Sequence, residues 1–180
     1  MMINSYYSRF IPLFILVLSL FAACEEGGIN PNDPNAKGLL EINLTDNPDD
    51  YDQVNIDLQR VEVKMRDSSG FQEVNTYAGI YDLLQLQDGV DTLIVRDSLP
   101  LNEIQQVRLI LGPDNSIMVD SVLYPMETPS AQQSGLKINL NRMMGQDSLN
   151  SVLLDFDAAE SVVEKGNGGY SLKPVIKVLR

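Results

Sequence analysis

The chain has 180 residues with 25 acidic and 13 basic side chains, and a net charge of −12 argues against nucleic acid or an anionic membrane surface as a partner. The absence of histidine excludes a Ser-His-Asp triad, imidazole acid–base catalysis and histidine-bound zinc. No glycine-rich loop of the phosphate-binding kind follows a strand and opens a helix, so a nucleotide partner is not expected either.

The N-terminus has the pattern of a lipoprotein signal peptide. Arg9 and the free amine precede the apolar run Phe10–Phe21, and two alanines stand directly before Cys24, the only cysteine. The run is shorter than the about 20 apolar residues that span a bilayer. We therefore predict a signal peptide over residues 1–23 and a palmitate-type lipid anchor on Cys24. The alternatives are a plain secretory signal that leaves a free thiol, or a buried N-terminal strand.

A flexible tether is expected between the anchor and the folded domain, over residues 24–37. The sequence after Cys24, EEGGINPNDPNAK, contains glycine, proline, asparagine and acidic residues with almost nothing apolar to bury. Acidic residues directly after the cysteine resemble the signal that sends Bacteroidetes-type lipoproteins to the outer face of the outer membrane. We therefore expect an outer-membrane protein that faces the cell exterior, with one domain over residues 38–180.

From Gly38 onward apolar residues recur with a period of two, which indicates half-buried strands. The first strand is predicted around Leu40–Leu44. A second, long strand changes phase at Gln59 and Arg60, which predicts a bulge or a bend. Further strands are predicted at residues 80–86, 90–95, 104–111, 116–119, 135–140, 151–157 and 170–179. The only helix predicted is short, within Ala158–Lys165.

Turn residues separate these runs, for example at Asp88-Gly89 and within Gly166–Gly169. Strands at intervals of roughly 8 to 12 residues with such turns indicate an antiparallel sandwich or barrel. We predict the all-β class, as a single antiparallel β-sandwich of the immunoglobulin/transthyretin-like kind.

Several segments resemble a bacterial lipoprotein family known as domain of unknown function 4382. Its opening motif is similar to GLLEINLTDNP at Gly38–Pro48, followed by Tyr51 and Val54. Its later blocks are similar, in order, to Ile104–Gly112 with Asn115, Ser134–Lys137, Leu154–Asp157 with Ser161, and Leu172–Ile176. The resemblance covers Gly38 to Val178. It implies a secreted or surface β-sandwich, commonly lipid-anchored, and it implies no activity.

An acidic loop follows the first strand and is a candidate calcium site. Calcium takes six to eight oxygen ligands, and four carboxylates lie close together in this loop. The candidate ligands are Asp46, Asp49, Asp50 and Asp52. The alternative is a solvated turn in which Asp46 or Asn47 binds its own backbone.

Asp155 and Asp157 lie two residues apart in a predicted strand whose other face supplies Val152, Leu154 and Phe156 to the core. Both carboxylates should therefore project from the opposite face, where they are candidate ligand-facing groups. A glycosidase also needs two carboxylates, so a hydrolase is one alternative. A polar outer face or a calcium contact is another.

Two further sets of residues are candidates for contact with sugars. Tyr77 and Tyr81 are the best candidates for an exposed aromatic pair, although core packing is the alternative for each. Four Asp-Ser/Thr-apolar tripeptides resemble the O-glycosylation acceptor of exported Bacteroidetes proteins, and ordinary turn chemistry is their alternative. The acceptors in these tripeptides are Thr92, Ser98, Ser121 and Ser148.

These observations predict a non-catalytic binding module for a glycan or an envelope component, held to the membrane by its lipid. A structural subunit or adhesin, pairing through a sheet edge, is the alternative. A carboxylate-dependent hydrolase ranks third because histidine is missing. No cofactor is expected apart from the candidate calcium.

Overall fold

The computed structural model describes residues 35–47, 50–128, 134–146 and 149–179. Within these ranges the secondary structure is almost entirely β, arranged in two sheets that share one apolar core. Most strand pairs are antiparallel. The prediction of an all-β, antiparallel sandwich is therefore confirmed.

The small sheet has four strands, two of which are parallel neighbours. They are β1 (Lys37–Thr45), β5 (Thr92–Pro100), β10 (Leu149–Phe156) and β13 (Ile176–Val178). Their order across the sheet is β13, β10, β1, β5. β1 runs parallel to β10, with Leu44 opposite Leu154, and antiparallel to β5.

The large sheet is built around the long strand β2. Its members are β2 (Gln53–Met65), β3 (Gln72–Val74), β4 (Gly79–Asp82), β6 (Glu103–Leu111), β7 (Ser116–Val119), β8 (Val122–Glu127), β9 (Leu136–Met143), β11 (Val162–Glu164) and β12 (Tyr170–Leu172). The order is β11, β12, β8, β7, β2, β6, β9, and both β3 and β4 pair with β2. β8 and β12 form a second parallel pair.

Alternate residues of the strands face inward and form the core. Leu154 and Phe156 of β10 are fully buried, as are Ile42 of β1 and Ile56 of β2. Burying a side chain of this size stabilises the fold by about 1.5–3 kcal/mol before conformational entropy is subtracted. The apolar period of two in the sequence therefore correctly predicts that alternate strand residues form the core.

The predicted bulge in β2 is present. Leu58 pairs with Leu111 and Arg60 pairs with Ile110, so Gln59 is the extra residue. The extra residue reverses which side chains face inward, and for this reason the apolar phase of the sequence changes at this point.

A buried polar network holds the crossing from β6 to β7. The backbone N–H of Asp57 donates to Asn115 Oδ1 at 2.9 Å, and Asn115 Nδ2 donates to the carbonyl of Gly112 at 2.7 Å and to Thr128 Oγ1 at 3.0 Å. The backbone N–H of Asp114 donates to Asp57 Oδ2 at 3.2 Å. A side chain at Gly112 would collide with the Asp57 carboxylate, so only glycine fits.

Two predicted elements differ from the structure for local reasons. The run predicted as a strand over 80–86 ends at Asp82, whose carboxylate accepts the Leu84 N–H at 3.2 Å and starts a 3-10 helix, Leu83–Leu86. The predicted helix is a single turn, α1 (Ala158–Ser161), after which the β-branched Val162 and Val163 continue as β11.

The remaining differences concern strands. The predicted strand 170–179 is divided into β12 and β13 around Pro174, which has no N–H to donate. β3 and β8 were not predicted. Among the described residues, no helix has the length and apolar character needed to cross a membrane.

Candidate binding site

The parallel pairing of β1 and β10 brings two acidic segments to the same edge of the small sheet. Thr45 lies opposite Asp155 at the ends of these strands. Asn47, just after β1, donates from Nδ2 to Asp155 Oδ2 at 2.9 Å and to Asp157 Oδ2 at 3.4 Å. Residues more than 100 positions apart in the chain are therefore direct neighbours.

Asp157 has a structural place in this cluster. Its Oδ1 accepts the backbone N–H of Glu160 at 3.0 Å, which caps the N-terminus of α1. Its Oδ2 accepts from Lys177 Nζ at 2.8 Å. The hydrogen bond from Lys177 lowers the pKa of Asp157, so this carboxylate is ionised at neutral pH.

Asp46 is buried, with 5% of its surface exposed. Its Oδ1 accepts the backbone N–H of Ala158 at 2.9 Å, and Gln87 Nε2 lies 3.4 Å from Oδ2. Burial raises the pKa of Asp46 from 3.8 to about 6, against the lowering effect of the Ala158 hydrogen bond. The side chain therefore changes charge near pH 6.

Asp155 is also buried, and it is incompletely bonded. It is 3% exposed, and its Oδ1 is buried with no hydrogen-bond partner. Leaving a buried polar atom unpaired costs about 1–3 kcal/mol. Burial raises the pKa of Asp155, and the negative charge of Asp157 raises it further.

A cavity of about 340 Å³ opens beside Asp155, and we call it the carboxylate pocket. Its lining residues come from the ends of β1 and β10, from the loop before β5 and from the segment after β13. They are Thr45, Asp46, Asn47, Asp88, Gly89, Asp91, Leu153, Asp155 and Leu179. The Asp88-Gly89 turn has positive φ at both residues, 57° and 84°, as expected for a tight turn.

The four candidate calcium ligands are not assembled around a common point in the described residues. Asp46 lines the carboxylate pocket, whereas Asp52 Oδ2 accepts the backbone N–H of Ser121 at 2.8 Å. Asp49 lies outside the described residues, and Asp50 is exposed. Within the described ranges no three acidic or cysteine side chains form a group that could hold a metal ion. The calcium site stays a prediction.

Tyr77, in the segment before β4, is a neighbour of Tyr81 on β4. Tyr77 is 46% exposed, and the Tyr81 hydroxyl donates to its carbonyl oxygen. Tyr81 itself is half-buried and packs against the core. Only Tyr77 therefore offers a largely free ring.

The candidate modification sites occupy surface positions where the structure describes them. Ser98 on β5 and Ser121 in the β7–β8 turn are exposed, and Thr92 at the start of β5 is half-buried. Ser148 and Cys24 lie outside the described residues. O-glycosylation and lipidation stay predictions.

A second cavity, which the sequence did not predict, contains a pair of aromatic rings. Tyr124 and Tyr170 have ring centroids 5.2 Å apart and planes tilted by 57°. They meet because β8 and β12 pair in parallel, with Tyr170 opposite Met126. We call this cavity of about 530 Å³ the tyrosine cleft. Its lining residues are Pro113, Tyr124, Pro125, Met126, Glu127, Thr128, Lys165, Asn167, Gly169 and Tyr170.

Polar groups stand beside the tyrosines in this cleft. Lys165 Nζ pairs with Glu127 Oε2 at 2.8 Å. Asn167 belongs to the turn that joins β11 to β12, where the backbone N–H of Lys165 donates to the Gly169 carbonyl at 2.7 Å. The turn predicted from the sequence here is confirmed, and it places a side-chain amide at the cleft.

The fold and these cavities define a β-sandwich domain with an acidic pocket at one sheet end and an aromatic cleft on the other sheet. The chain belongs to the family described as domain of unknown function DUF4382, whose model matches residues 37–174. This match confirms the family resemblance noted in the sequence. No curated protein and no solved structure matched the chain.

Proposed function

We propose that this protein is a lipid-anchored protein of the outer membrane, facing the cell exterior, whose domain binds a glycan without catalysing a reaction. The location is supported by the cationic start, the short apolar run and the alanine pair before Cys24. The binding role is supported by the tyrosine cleft.

The tyrosine cleft carries the proposal because its chemistry is complementary to a sugar ring. Saccharides have apolar C–H faces and a rim of hydroxyl groups. Aromatic surface for the C–H faces is offered by Tyr124 and Tyr170. Hydrogen-bond acceptors and donors for the hydroxyl groups are offered by the Glu127 carboxylate, the Lys165 ammonium and the Asn167 amide. An apolar cavity with a few convergent polar groups is the usual form of a ligand site.

A non-catalytic role is supported by the same residues. Glycoside hydrolysis generally uses two carboxylates on either side of the bond. The lining residues of the tyrosine cleft include one carboxylate, Glu127, which is paired with Lys165. Of the pair Asp155 and Asp157 that the sequence offered for such a role, Asp157 has both oxygens engaged, in the helix cap and the Lys177 pair.

The binding role is tested by thermal unfolding of the full chain, purified in detergent from host membranes, against a panel of cell-surface polysaccharides. A ligand at about 100 times its dissociation constant stabilises the fold by ~2.7 kcal/mol. Because the chain has no tryptophan, tyrosine emission reports the same event. Tyr124→Ala is expected to abolish the stabilisation, and Tyr77→Ala is the matched control outside the cleft. Stabilisation that survives Tyr124→Ala would rule out this site.

The location is tested separately, in the native host. Labelling with an alkyne analogue of palmitate is expected to mark the wild-type protein and to leave Cys24→Ser unmarked. Protease added to intact cells is expected to remove the domain. A labelled protein that is protected from protease would place the domain on the periplasmic side and contradict exterior exposure.

A further inference from the structure

The carboxylate pocket is acidic and its lining residues supply no compensating cation. Four of its nine lining residues are aspartates, namely Asp46, Asp88, Asp91 and Asp155, and none is lysine or arginine. The ammonium group of Lys177, whose charge acts on Asp155, is bonded to Asp157 at 2.8 Å. A cationic ligand is therefore favoured electrostatically over a neutral or an anionic one.

The carboxylate of Asp155 also lacks one hydrogen-bond donor, which a ligand can supply. Its Oδ2 is bonded to Asn47, whereas its Oδ1 is buried without a partner, and the residue lines the pocket. An N–H group entering the pocket would complete the bonding of this carboxylate. Hydrogen bonds between a charged donor and a carboxylate are about twice as strong as neutral ones.

The apolar part of the lining distinguishes between kinds of cation. Leu153 and Leu179 line the pocket together with the aspartates. A hydrated metal ion gains nothing from contact with these apolar surfaces. The described residues also include no group of three acidic side chains able to hold a metal ion. Arginine and lysine combine an aliphatic stem with a charged head, which matches both parts of the lining.

We propose that the carboxylate pocket receives an arginine or lysine side chain of a partner protein. The cationic head donates to Asp155 Oδ1, and the aliphatic stem packs against Leu153 and Leu179. The pocket volume of about 340 Å³ lies in the range of ligand pockets. This site shares no lining residue with the tyrosine cleft, so the proposal does not depend on glycan binding.

The test is a titration of the full chain in detergent, monitored through the NMR signals of leucine methyl groups. The probe is Nα-acetyl-arginine methylamide, and the citrulline analogue is the neutral control of nearly the same shape. The arginine probe is expected to shift the methyl signals of Leu153 and Leu179 saturably. The citrulline probe is expected to leave them unchanged.

Variants separate the pocket from general charge. Asp155→Asn keeps an oxygen for the Asn47 bond and is expected to weaken binding of the arginine probe about tenfold. Asp91→Asn changes an exposed lining residue, so it tests the same charge without risk to the core, and about threefold weaker binding is expected there. Asp120→Asn, in the exposed β7–β8 turn, makes the same change of charge elsewhere and should leave binding unaltered.

Other outcomes overturn the proposal. Equal shifts with the citrulline probe would mean that charge is not recognised, and no saturable shift with the arginine and lysine probes would mean that the pocket takes neither side chain. Shifts caused by calcium alone would make this a metal site. Shifts with glucosamine, but not with glucose or the arginine probe, would assign the pocket to an amino sugar.

Discussion

Replacing Asp46 by asparagine is expected to stabilise the domain at neutral pH. Burial raises the pKa of Asp46 from 3.8 to about 6, so the folded state binds this proton more tightly than the unfolded chain does. The stability that the proton contributes is fully present below pH 4 and is lost as the pH rises through 6. About 2 pKa units at 1.36 kcal/mol each correspond to ~3 kcal/mol.

Asparagine removes the buried charge and keeps one oxygen. That oxygen can still accept the Ala158 N–H, which Asp46 binds at 2.9 Å. The contact with Gln87 is long, at 3.4 Å, and its loss takes little from the gain. The net stabilisation expected at pH 8 is therefore about 2–3 kcal/mol.

The assay is urea unfolding of both proteins between pH 4 and pH 8, with a chelator present. The difference in free energy of unfolding should be small at pH 4, grow between pH 4 and 6, and level off above. Asp155, Asp157 and Lys177 titrate near this site in both proteins, and the charge of Asp155 raises the pKa of Asp46, so the difference reports Asp46 together with its coupling to Asp155. A difference that stays constant with pH would refute the burial argument.

Asp120→Asn provides the control for that experiment, since it makes the same change of charge at an exposed turn. Its stability relative to the wild type should not show the step near pH 6. A step of equal size in this variant would trace the effect to net charge rather than to the burial of Asp46.

Two further substitutions test the polar network and the helix cap. Gly112→Ala is expected to lower stability by about 1–3 kcal/mol, because the methyl group collides with the Asp57 carboxylate, whereas at Gly79→Ala a methyl group meets nothing within 4 Å. Equal urea midpoints for the two variants would contradict this. Asp157→Asn keeps the helix cap but loses the ion pair with half-exposed Lys177. This loss is expected to lower stability by ~0.5–1 kcal/mol. Since the pKa of Asp157 is lowered in the folded state, this loss should be present at pH 7 and fade as the pH falls below 4; a loss independent of pH, measured by urea unfolding, would argue against the ion pair.

Local patterns in the sequence predicted much of the fold because strands and turns are local. The phase change at Gln59 and Arg60 corresponds to the bulge in β2. The glycine-rich turn Gly166–Gly169 joins β11 to β12 as expected. Short edge strands such as β3 (Gln72–Val74) were not predicted, because three residues cannot establish a hydrophobic period.

The sites were harder to predict because they depend on strand order. Asp46 and Asp155 were recognised separately as acidic candidates, but only the parallel pairing of β1 and β10 makes them one pocket. Tyr124 and Tyr170 meet through the parallel pairing of β8 and β12. A hydrophobic period of two is the same for parallel and antiparallel partners, so it carries no information about which strand lies next to which.

The central position of β1 also governs when the domain can fold. Its partners on either side are β5 and β10, and the contact between Asn47 and Asp155 spans 108 residues of chain. So long a loop must close, at a cost in chain entropy, before the stabilising contacts can form. Sandwiches of this type fold in milliseconds to seconds. A chain cut before Leu149 would leave one whole edge of β1 without hydrogen bonds, so nearly the entire polypeptide must be synthesised before the small sheet can assemble.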